Sequence, residues 1–394
     1  MRRIIVLSGV ILTGALGCIS AAEDGVKLPE PFATPSAKNT PKVIPRPSSG
    51  QLKLPAGFKV EEYLDGIERP RYMALGPGKE LLIADTRANG AVWLVQNPLQ
   101  GRDKKVLIEK LDRPYGIAFW KNYLYVAEAT SIKRYPYDAK TMTPGPGEEV
   151  VSLKEFAKGP STRSVYFDRK GEKMYIAIAM EADAETGEDP RRAAIDRYNP
   201  DGSDHEIFAA GLRNPVGMHP YPGTDTLWVG VEERDALGDD LVPDFFTHLQ
   251  PGGFYGWPYA YIGKHEDPRF KSMRPDLVAK TIAPDVILPA HASMLDFAFY
   301  TGRQFPPQYR GGAFLAWHGS TNRSELQGYE VAFVPFTKGK PSGPPQHFLT
   351  GWMDSPQAHE VWGRPVAILQ MPDGSLLVSD DGGLKIWRVS YGGK

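Results

Sequence analysis

The residues best suited to chemistry in this chain lie between Gly211 and Tyr259. Arg213 and Asn214 stand side by side just before Pro215, where a strand is predicted to begin. A cation beside a neutral amide can hold an anionic or quinone-like ligand, because both groups donate directional hydrogen bonds to oxygen. The pair therefore predicts a ligand-binding position at the end of a strand.

An acidic turn follows this pair along the chain. Glu232 and Glu233 end an apolar run, and Asp235, Asp239 and Asp240 continue the turn. Carboxylates and turn carbonyls are the oxygen ligands that a hard cation such as Ca²⁺ prefers. Acidic runs also commonly face water, so the turn alone is as typical of a solvated loop. Together with Arg213 and Asn214, it favours a site.

The elements that would position these residues are short strands in a recurring pattern. An Arg-Pro or Asn-Pro step leads into an apolar strand, then a Gly or Asp turn and further apolar strands. The copies span 69–95, 113–137, 162–202, 214–235, 294–336 and 364–391. Repeats of this length with three or four strands each are typical of propeller blades. We predict an all-β fold, a six-bladed β-propeller, with the strand Phe58 to Leu64 completing the last blade.

Composition limits the classes of partner. The chain of 394 residues has 46 basic and 47 acidic residues, a formal charge of −1, so nothing favours nucleic acid. Its 41 glycines and 36 prolines, with 41% hydrophobic residues, indicate a turn-rich β protein with a large core. The segment from about 255 to 293 has no clean helical period, and we expect it to run over one face of the ring.

The N-terminus resembles an export signal. Arg2 and Arg3 precede an apolar run, and Ser20-Ala21-Ala22 suits cleavage, so residues 1–22 predict a periplasmic or secreted protein. Cys18 follows Gly17 as in bacterial lipoprotein signals, which would leave the membrane contacted only through a lipid anchor. It is the single cysteine, which excludes disulfides and thiolate metal sites elsewhere. Residues 23–50 read as a Pro-rich tether, with the folded domain spanning 51–394 and order beginning near Leu52.

Several long motifs, in this order, resemble one family. GLRNPVG, ERDALGDDLVPD, GGFYGWPY, GAFLAWHGSTNR and WGRPVA together resemble the glucose/sorbosone dehydrogenases, which are exported six-bladed sugar dehydrogenases. The resemblance runs from about Leu52 to Tyr391. It implies pyrroloquinoline quinone (PQQ) and a calcium ion as cofactors over the central channel. It also implies a small-molecule sugar substrate, oxidised at a hydroxyl or aldehyde group.

The resemblance also implies roles for individual residues. The residues that match the family's cofactor contacts are Arg213 and Asn214 at the quinone oxygens, Arg364 at a carboxylate, and Asn322 and Arg323 at a further basic contact. PQQ is a flat tricarboxylate, and arginine is the side chain best suited to bind such an anion. For calcium, the family uses backbone carbonyls of the turn that here holds Glu232 and Glu233. Glu232 departs from the small or amide residue usual there.

One expected residue is missing. The family's general base is a histidine just ahead of Thr-Arg at the start of the third blade, and here Pro160 stands in KGPSTRSVYF. A proline accepts no proton. His291 in PAHASM and His318 in AWHGST are the candidate catalytic replacements, because an imidazole titrates near neutrality. Glu181 or Asp183 would serve if burial raised its pKa.

Two alternatives to a dehydrogenase remain open. One is a catalytically degenerate propeller that binds a sugar or a protein partner. The other is a lactonase-type hydrolase, whose channel calcium would be held by side chains such as Glu128, Asn214 and Glu232. Converging arginines would favour the quinone, and converging carboxylates would favour hydrolysis.

Overall fold

The chain forms the predicted six-bladed propeller. The computed structural model describes residues 27–357 and 359–393, so the predicted export signal and Cys18 lie outside the described residues. Within them, six sheets of four or five mainly antiparallel strands follow one another around a central axis, which confirms the all-β prediction. No helix in these two ranges has the length and hydropathy of a membrane span.

The strands of each blade run outward from the axis, from an inner strand to an outer one. Blade 1 has strands Pro70–Leu75, Leu81–Asp85, Gly90–Val95 and Lys104–Leu111; blade 2 has Ile117–Trp120, Tyr123–Ala127, Ser131–Asp138, Thr143–Pro144 and Glu148–Ser152; blade 3 has Val165–Phe167, Met174–Ile178, Ala194–Tyr198, Glu206–Ala210 and Gly253–Phe254. Blade 4 has Asn214–Pro220, Leu227–Glu232, Pro243–His248 and Val286–Ala290; blade 5 has Met294–Phe299, Ala313–Trp317, Glu330–Val334 and Gln346–Leu349; blade 6 has Pro365–Gln370, Leu376–Asp380, Lys385–Tyr391 and Phe58–Leu64.

A few short elements lie outside the blades. They are the paired strands Lys42–Val43 with Glu360–Val361, Ala260–Tyr261 with His265–Glu266, and Phe336–Thr337 with Lys340–Pro341, the α-helix Pro275–Lys280, and the 3₁₀ turns Lys154–Phe156 and Pro307–Tyr309.

The apolar strands are continuous because a blade is covered on both faces. Leu81 and Ile83 face the core shared with blade 6, whereas Leu82 and Ala84 face the core shared with blade 2. Successive side chains of a strand point to opposite faces, so both sets must be apolar. Each pair of neighbouring blades encloses one such core, which gives six cores around the ring.

The ring closes as predicted. The strand Phe58–Leu64 pairs antiparallel with Lys385–Tyr391, starting with Phe58 opposite Tyr391. The Phe58 ring also contacts Phe305 and Phe348 of blade 5, at centroid distances of 4.7 and 5.0 Å. The first and the last blade strands along the chain therefore lie in one blade.

Bulges close the central channel. The inner strands of blades 1, 4, 5 and 6 each shift register near their second residue. A bulge re-aims side chains, and here residues of the bulges gather on the axis. The cluster consists of Tyr72, Tyr115, Val216, Leu295 and Val366, from five different blades. The channel is therefore plugged, and a ligand would be held at its end.

The segment predicted as a tether is docked onto the ring. We call residues 27–50 the strap. Its contacts include Phe32 N to Leu237 O at 2.7 Å, Asn39 N to Thr321 O at 2.8 Å, and the parallel pairing of Lys42–Val43 with Glu360–Val361. These partners belong to blades 4, 5 and 6. Order thus begins well before Leu52, because backbone groups of the strap find hydrogen-bond partners on three loops.

The long excursion lies between the third and outer strands of blade 4. We call residues 249–285 the blade 4 insertion; it ends before the predicted 293 because Val286–Ala290 forms a blade strand. Gly253–Phe254 joins the outer edge of blade 3, and Trp257 Nε1 donates to Asp183 O at 3.0 Å. The insertion therefore runs along blade 3 and reaches the end of the ring where the candidate site lies.

Candidate functional site

Every predicted site residue lies at one end of the ring. Inner strands start at this end and second strands finish there, since the two are antiparallel. Arg213 and Arg364 immediately precede inner strands, Glu232 ends a second strand, and His318 follows another. His291, Glu233, Asn322 and Arg323 lie on loops at the same end. We call this end the mouth.

Buried carboxylates fix the starts of three inner strands. In each case the carboxylate lies at the end of a second strand or just after it. It accepts a hydrogen bond from a backbone N–H at the Arg-Pro step, either that of the arginine or that of the residue before it. The pairs are Asp85 with Arg69 at 3.0 Å, Glu128 with Asp112 at 2.7 Å, and Asp380 with Arg364 at 2.7 Å. Such bonds to a charged acceptor are strong, so they hold the arginine backbone at the mouth.

His318 is a neutral imidazole oriented by Asp381. Its Nε2 lies 2.8 Å from Asp381 Oδ1. Burial, with the positive charge of Arg364, lowers the pKa of His318 to about 3. Because the Asp381 carboxylate only accepts, Nε2 carries the proton and Nδ1 keeps a lone pair. Nδ1 has no hydrogen-bond partner among the described residues. This nitrogen therefore has a free lone pair. Its low pKa makes it a weak proton acceptor in the unliganded protein, and an anion bound at Arg364 would raise that pKa by offsetting the guanidinium charge.

His291 is held differently. Its Nδ1 lies 3.0 Å from Asp235 Oδ1, and its Nε2 lies 3.0 Å from Gly238 O. Burial would lower the pKa of His291, but the hydrogen bonds to Asp235 and Gly238 outweigh burial and raise it. Both ring nitrogens face acceptors, so the ring is an imidazolium without a lone pair. Of the two histidines, the geometry favours His318 as a base.

The three predicted arginines differ in how far they are neutralised. Arg213 Nη2 lies 3.0 Å from Asp183 Oδ1 and 3.4 Å from Asp235 Oδ2. Arg323 Nη1 lies 2.7 Å from Asp240 Oδ1. The Arg364 guanidinium contacts no carboxylate of the described residues and donates only to the carbonyls of His318 and Gly319, at 3.2 and 2.9 Å. Arg364 is thus the one of the three whose charge is open to a ligand. Burial would raise the pKa of Asp235, but His291 and Arg213, with a smaller contribution from Asn322, lower it.

Sequence reasoning missed Arg71 and Asp381. Arg71 Nε lies 3.5 Å from Asp381 Oδ2, and its guanidinium lies 5.6 Å from the Tyr115 ring centre. Arg71 stands two residues after Arg69 in the first Arg-Pro step, and Asp381 belongs to the motif SDDGG. Both signals were visible in the sequence, but only the fold places them beside His318.

Several buried polar atoms at the mouth lack a protein partner. In the described ranges these include Tyr115 Oη and Asn214 Oδ1, and Arg71 Nε makes an ion pair with Asp381 but no hydrogen bond. A buried donor or acceptor left unpaired costs about 1–3 kcal/mol, so a ligand or water is expected to satisfy them. With Arg71 and Arg364 beside a neutral imidazole, the mouth suits a ligand that carries negative charge and carbonyl oxygens.

The turn predicted to hold calcium is committed to protein contacts. The Glu232 carboxylate accepts from the Asn214 amide and the Ser293 hydroxyl, and Glu232 O lies 3.4 Å from Arg213 Nη1. Burial raises the pKa of Glu233 to about 8, so this side chain is largely protonated at neutral pH. Among the described residues, no group of three His, Cys, Asp or Glu side chains is arranged to hold a metal. A guanidinium against the offered carbonyl does not fit a calcium ion there.

The remaining candidates are also engaged. Pro160 O accepts from Arg163 Nη1 at 2.7 Å, so the residue at the family's base position serves the backbone of blade 3. Glu181 pairs with Arg192 at 3.2 Å. Glu128 pairs with Lys133 at 2.7 Å and is absent from the contacts of Asn214 and Glu232. The carboxylate arrangement expected for a lactonase is therefore not assembled.

The comparisons with known proteins agree with this architecture. The TrAA12-like family model matches residues 52–242 and 272–391. An uncharacterized protein of Borreliella burgdorferi is 30% identical over 357 residues, which cover 86% of this chain and 91% of that protein. The pyrroloquinoline quinone-dependent pyranose dehydrogenase of Coprinopsis cinerea is 24% identical over 407 residues, covering 84% of this chain and 53% of that protein. The chain thus spans about half the length of the Coprinopsis enzyme.

A solved structure shows the same fold. The holo form of the pyranose dehydrogenase PQQ domain from Coprinopsis cinerea superposes with a TM-score of 0.74 at 20% identity, covering 88% of this chain and 98% of that one. The resemblance to PQQ-dependent sugar dehydrogenases predicted from the motifs is confirmed by these neighbours. This chain belongs to the TrAA12-like family.

Proposed function

We propose that this protein is a PQQ-dependent sugar dehydrogenase in which His318 is the general base. Its family and its fold support a sugar oxidoreductase. The observation that carries the proposal is the neutral His318, which is held by Asp381 and lies beside Arg364, whose guanidinium pairs with no carboxylate of the described residues. When bound, the quinone accepts the hydride of the substrate C–H bond.

The residues at the mouth fit a flat polyanion. Arg71 and Arg364 supply positive charge from blades 1 and 6, and Asn214 of blade 4 offers an unpaired amide oxygen. In the proposal these two arginines bind cofactor carboxylates, and the plug on the channel axis stops the ligand from passing deeper. His318 Nδ1 takes the proton of the sugar hydroxyl as the C–O bond becomes a carbonyl.

Calcium stays outside the proposed mechanism. The resemblance implies it, but Arg213 lies against the Glu232 carbonyl that would bind it. Export to the periplasm or secretion, with or without a lipid on Cys18, is proposed from the N-terminal sequence alone.

The proposal is tested by binding and turnover measured separately. Added PQQ should raise the melting temperature of the wild-type protein, since a ligand of the native state stabilises it. Arg364→Gln should weaken PQQ binding at least about tenfold, because a charge-assisted contact contributes 1.4 kcal/mol or more. The matched control is Arg102→Gln, an exposed arginine paired with Glu61 just before the outer strand of blade 1 begins, at the end of the ring opposite the mouth.

His318→Gln separates binding from chemistry. This variant should still bind PQQ but should lose dye reduction with aldoses about 10²- to 10⁴-fold, the usual effect of losing a base. No melting shift of the wild-type protein at PQQ concentrations well above micromolar would refute the cofactor. PQQ binding without any dye reduction by the wild-type protein would leave the degenerate, ligand-binding alternative.

A further inference from the structure

A second group of arginines lies at the mouth, on the side of blades 3 and 4. Arg213, Arg234 and Arg269 surround the carboxylate of Asp183. Asp183 Oδ1 lies 3.0 Å from Arg213 Nη2, and Oδ2 lies 3.5 Å from Arg269 Nη2 and 3.8 Å from Arg234 Nη2. The backbone N–H of Asp235 also donates to Asp183 Oδ1, at 2.8 Å. These donors converge on one carboxylate from three separate segments.

Asp183 reaches these donors from a loop. The connection between the second and third strands of blade 3, residues 179–193, is here called the blade 3 loop. Its tip is ordered by Glu188, whose carboxylate accepts the N–H groups of Glu181 and Ala182 at 2.8 Å each. The carbonyl of Asp183 accepts from Trp257 Nε1 at 3.0 Å. Arg213 Nε also donates to this carbonyl, at 3.3 Å, and the Glu181 carboxylate pairs with Arg192 at 3.2 Å. Withdrawal of the tip would require these polar contacts to be exchanged for water.

Exposure shows which partner is the removable one. The Arg234 and Arg213 side chains are 2% and 9% exposed, whereas the Asp183 side chain is 32% exposed. Arg213 and Arg234 are thus built into the wall and the carboxylate covers them from the solvent side, whereas Arg269, at 38% exposed, contacts Asp183 from the surface. A ligand approaching Arg213 from the mouth would meet Asp183 first.

The local charge would become more positive without this carboxylate. The three arginines and the His291 imidazolium are four positive groups, and Asp183, Asp235 and Asp267 are the three negative groups paired with them. Removing the charge of Asp183 raises the excess of positive charge from one to two, beside the buried Arg213 and Arg234. Buried guanidinium groups in excess recruit an anion, because leaving them uncompensated is costly.

We propose that these arginines form an anion site that Asp183 fills with its own carboxylate, and that a ligand carboxylate replaces Asp183 when the blade 3 loop withdraws. The inference rests on the proposed function, since Arg213 belongs to the mouth that binds the cofactor. In this proposal the Asp183 carboxylate competes with carboxylate ligands for the three arginines, and so lowers the affinity of the protein for such ligands. The ligand carboxylate comes either from PQQ or from an acidic sugar.

The first test uses a bare anion. Asp183→Asn keeps the size of the side chain and an oxygen for the Asp235 N–H, and removes only the charge. It should bind inorganic sulfate at least about tenfold more tightly than the wild-type protein, measured by calorimetry. The matched control, Glu185→Gln, removes an exposed charge from the same loop and should bind sulfate as the wild type does. Equal sulfate affinities of Asp183→Asn and wild type would overturn the proposal.

Further arms identify the source of the carboxylate. PQQ and glucuronate are titrated separately, with glucose as the neutral counterpart of glucuronate. A gain in affinity on Asp183→Asn for PQQ assigns the site to the cofactor, and a gain for glucuronate but not glucose assigns it to an acidic substrate. If neither the wild-type protein nor Asp183→Asn binds PQQ, the proposed function fails. The comparison of their sulfate affinities still shows whether Asp183 occupies an anion site.

A measurement on the wild-type protein covers the case in which Asp183→Asn does not fold. Hydrogen exchange of the blade 3 loop amides is followed with and without a saturating carboxylate ligand found in the titrations, or saturating sulfate if neither binds. Withdrawal of the loop should speed exchange at Glu181 and Ala182 at least severalfold, because their N–H groups donate to Glu188 and these bonds open as the tip moves. Unchanged or slower exchange with ligand bound would contradict the replacement.

Discussion

Replacing Asp381 by asparagine tests how His318 is prepared to accept a proton. Asp381 Oδ2 lies 3.5 Å from Nε of both Arg69 and Arg71, while Oδ1 faces His318. In Asp381→Asn the amide oxygen should turn to the two arginines, because an NH₂ group there would face two guanidinium groups. The NH₂ group must then point at His318 Nε2. That nitrogen becomes an acceptor, and the ring proton moves to Nδ1.

The size of the effect follows from what is lost. With a proton on Nδ1, His318 has no lone pair to accept the proton of the substrate hydroxyl. The rate of dye reduction should therefore fall about 10²- to 10⁴-fold, which raises the activation free energy by about 3–5 kcal/mol. The pair of Asp381 with Arg71 is largely buried, and losing one partner of such a pair costs about 3–5 kcal/mol of folding free energy. The variant should therefore melt earlier yet bind PQQ through Arg364.

Nitrogen NMR of labelled histidine gives a readout that needs no turnover. The wild-type protein should show His318 protonated at Nε2, and Asp381→Asn should show it protonated at Nδ1. The matched control is Asp373→Asn, which removes the partner of Arg388 at the outer part of the same blade and should leave the tautomer unchanged. A proton that stays on Nε2 in Asp381→Asn, or an unchanged rate of dye reduction, would refute the reasoning.

Three further predictions concern stability. Burial raises the pKa of Asp196 from 3.8 to about 8, so the folded protein holds a proton that the unfolded chain releases, and the free energy of unfolding should fall as pH rises through this window. Asp196 should contribute a fall of about 1.4 kcal/mol in the free energy of unfolding per pH unit. Urea titrations at several pH values should show a flatter dependence for Asp196→Asn and the wild-type dependence for the control Glu172→Gln. An unchanged pH dependence in Asp196→Asn would count against burial of Asp196 as the cause. Deleting residues 27–50 should lower the melting temperature, because the strap bonds three blades; a chain starting at residue 51 that melts with the full-length protein would show that docking adds nothing. Phe58→Ala should cost about 3 kcal/mol or more in the same titrations, since this ring packs against aromatic neighbours at the closing strand; a loss below about 1 kcal/mol would mean that the strand is held by its backbone pairing alone.

The fold could be predicted because its rule is local. Continuous apolar runs such as 81–84, separated by Gly and Asp turns, are needed wherever a sheet is covered on both faces. The closing strand Phe58–Leu64 was predictable for the same reason. The strap was not, because its prolines and polar residues read as a linker, and only its distant partners on three loops order it. The short helix Pro275–Lys280 was missed, since six residues are too few for a periodic pattern.

The location of the candidate site was predictable from the sequence, but the contacts between its side chains were not. Arg213, Asn214 and Arg364 mark strand starts, and strand starts of one ring end must meet. The carboxylate that meets Arg213 comes from the blade 3 loop, and nothing in local spacing reveals that contact. Likewise, His291 and His318 look alike in sequence, and they differ only in which ring nitrogens find acceptors in the folded chain.

The sharing of blade 6 between both ends of the chain has a consequence for biosynthesis. The strand Phe58–Leu64 is made early but has no partner until Lys385–Tyr391 leaves the ribosome. Until then its edge and its aromatic side chain remain open to wrong pairing, since unpaired edges template aggregation. A nascent or truncated chain lacking its last strand should therefore depend on chaperones far more than the finished ring does.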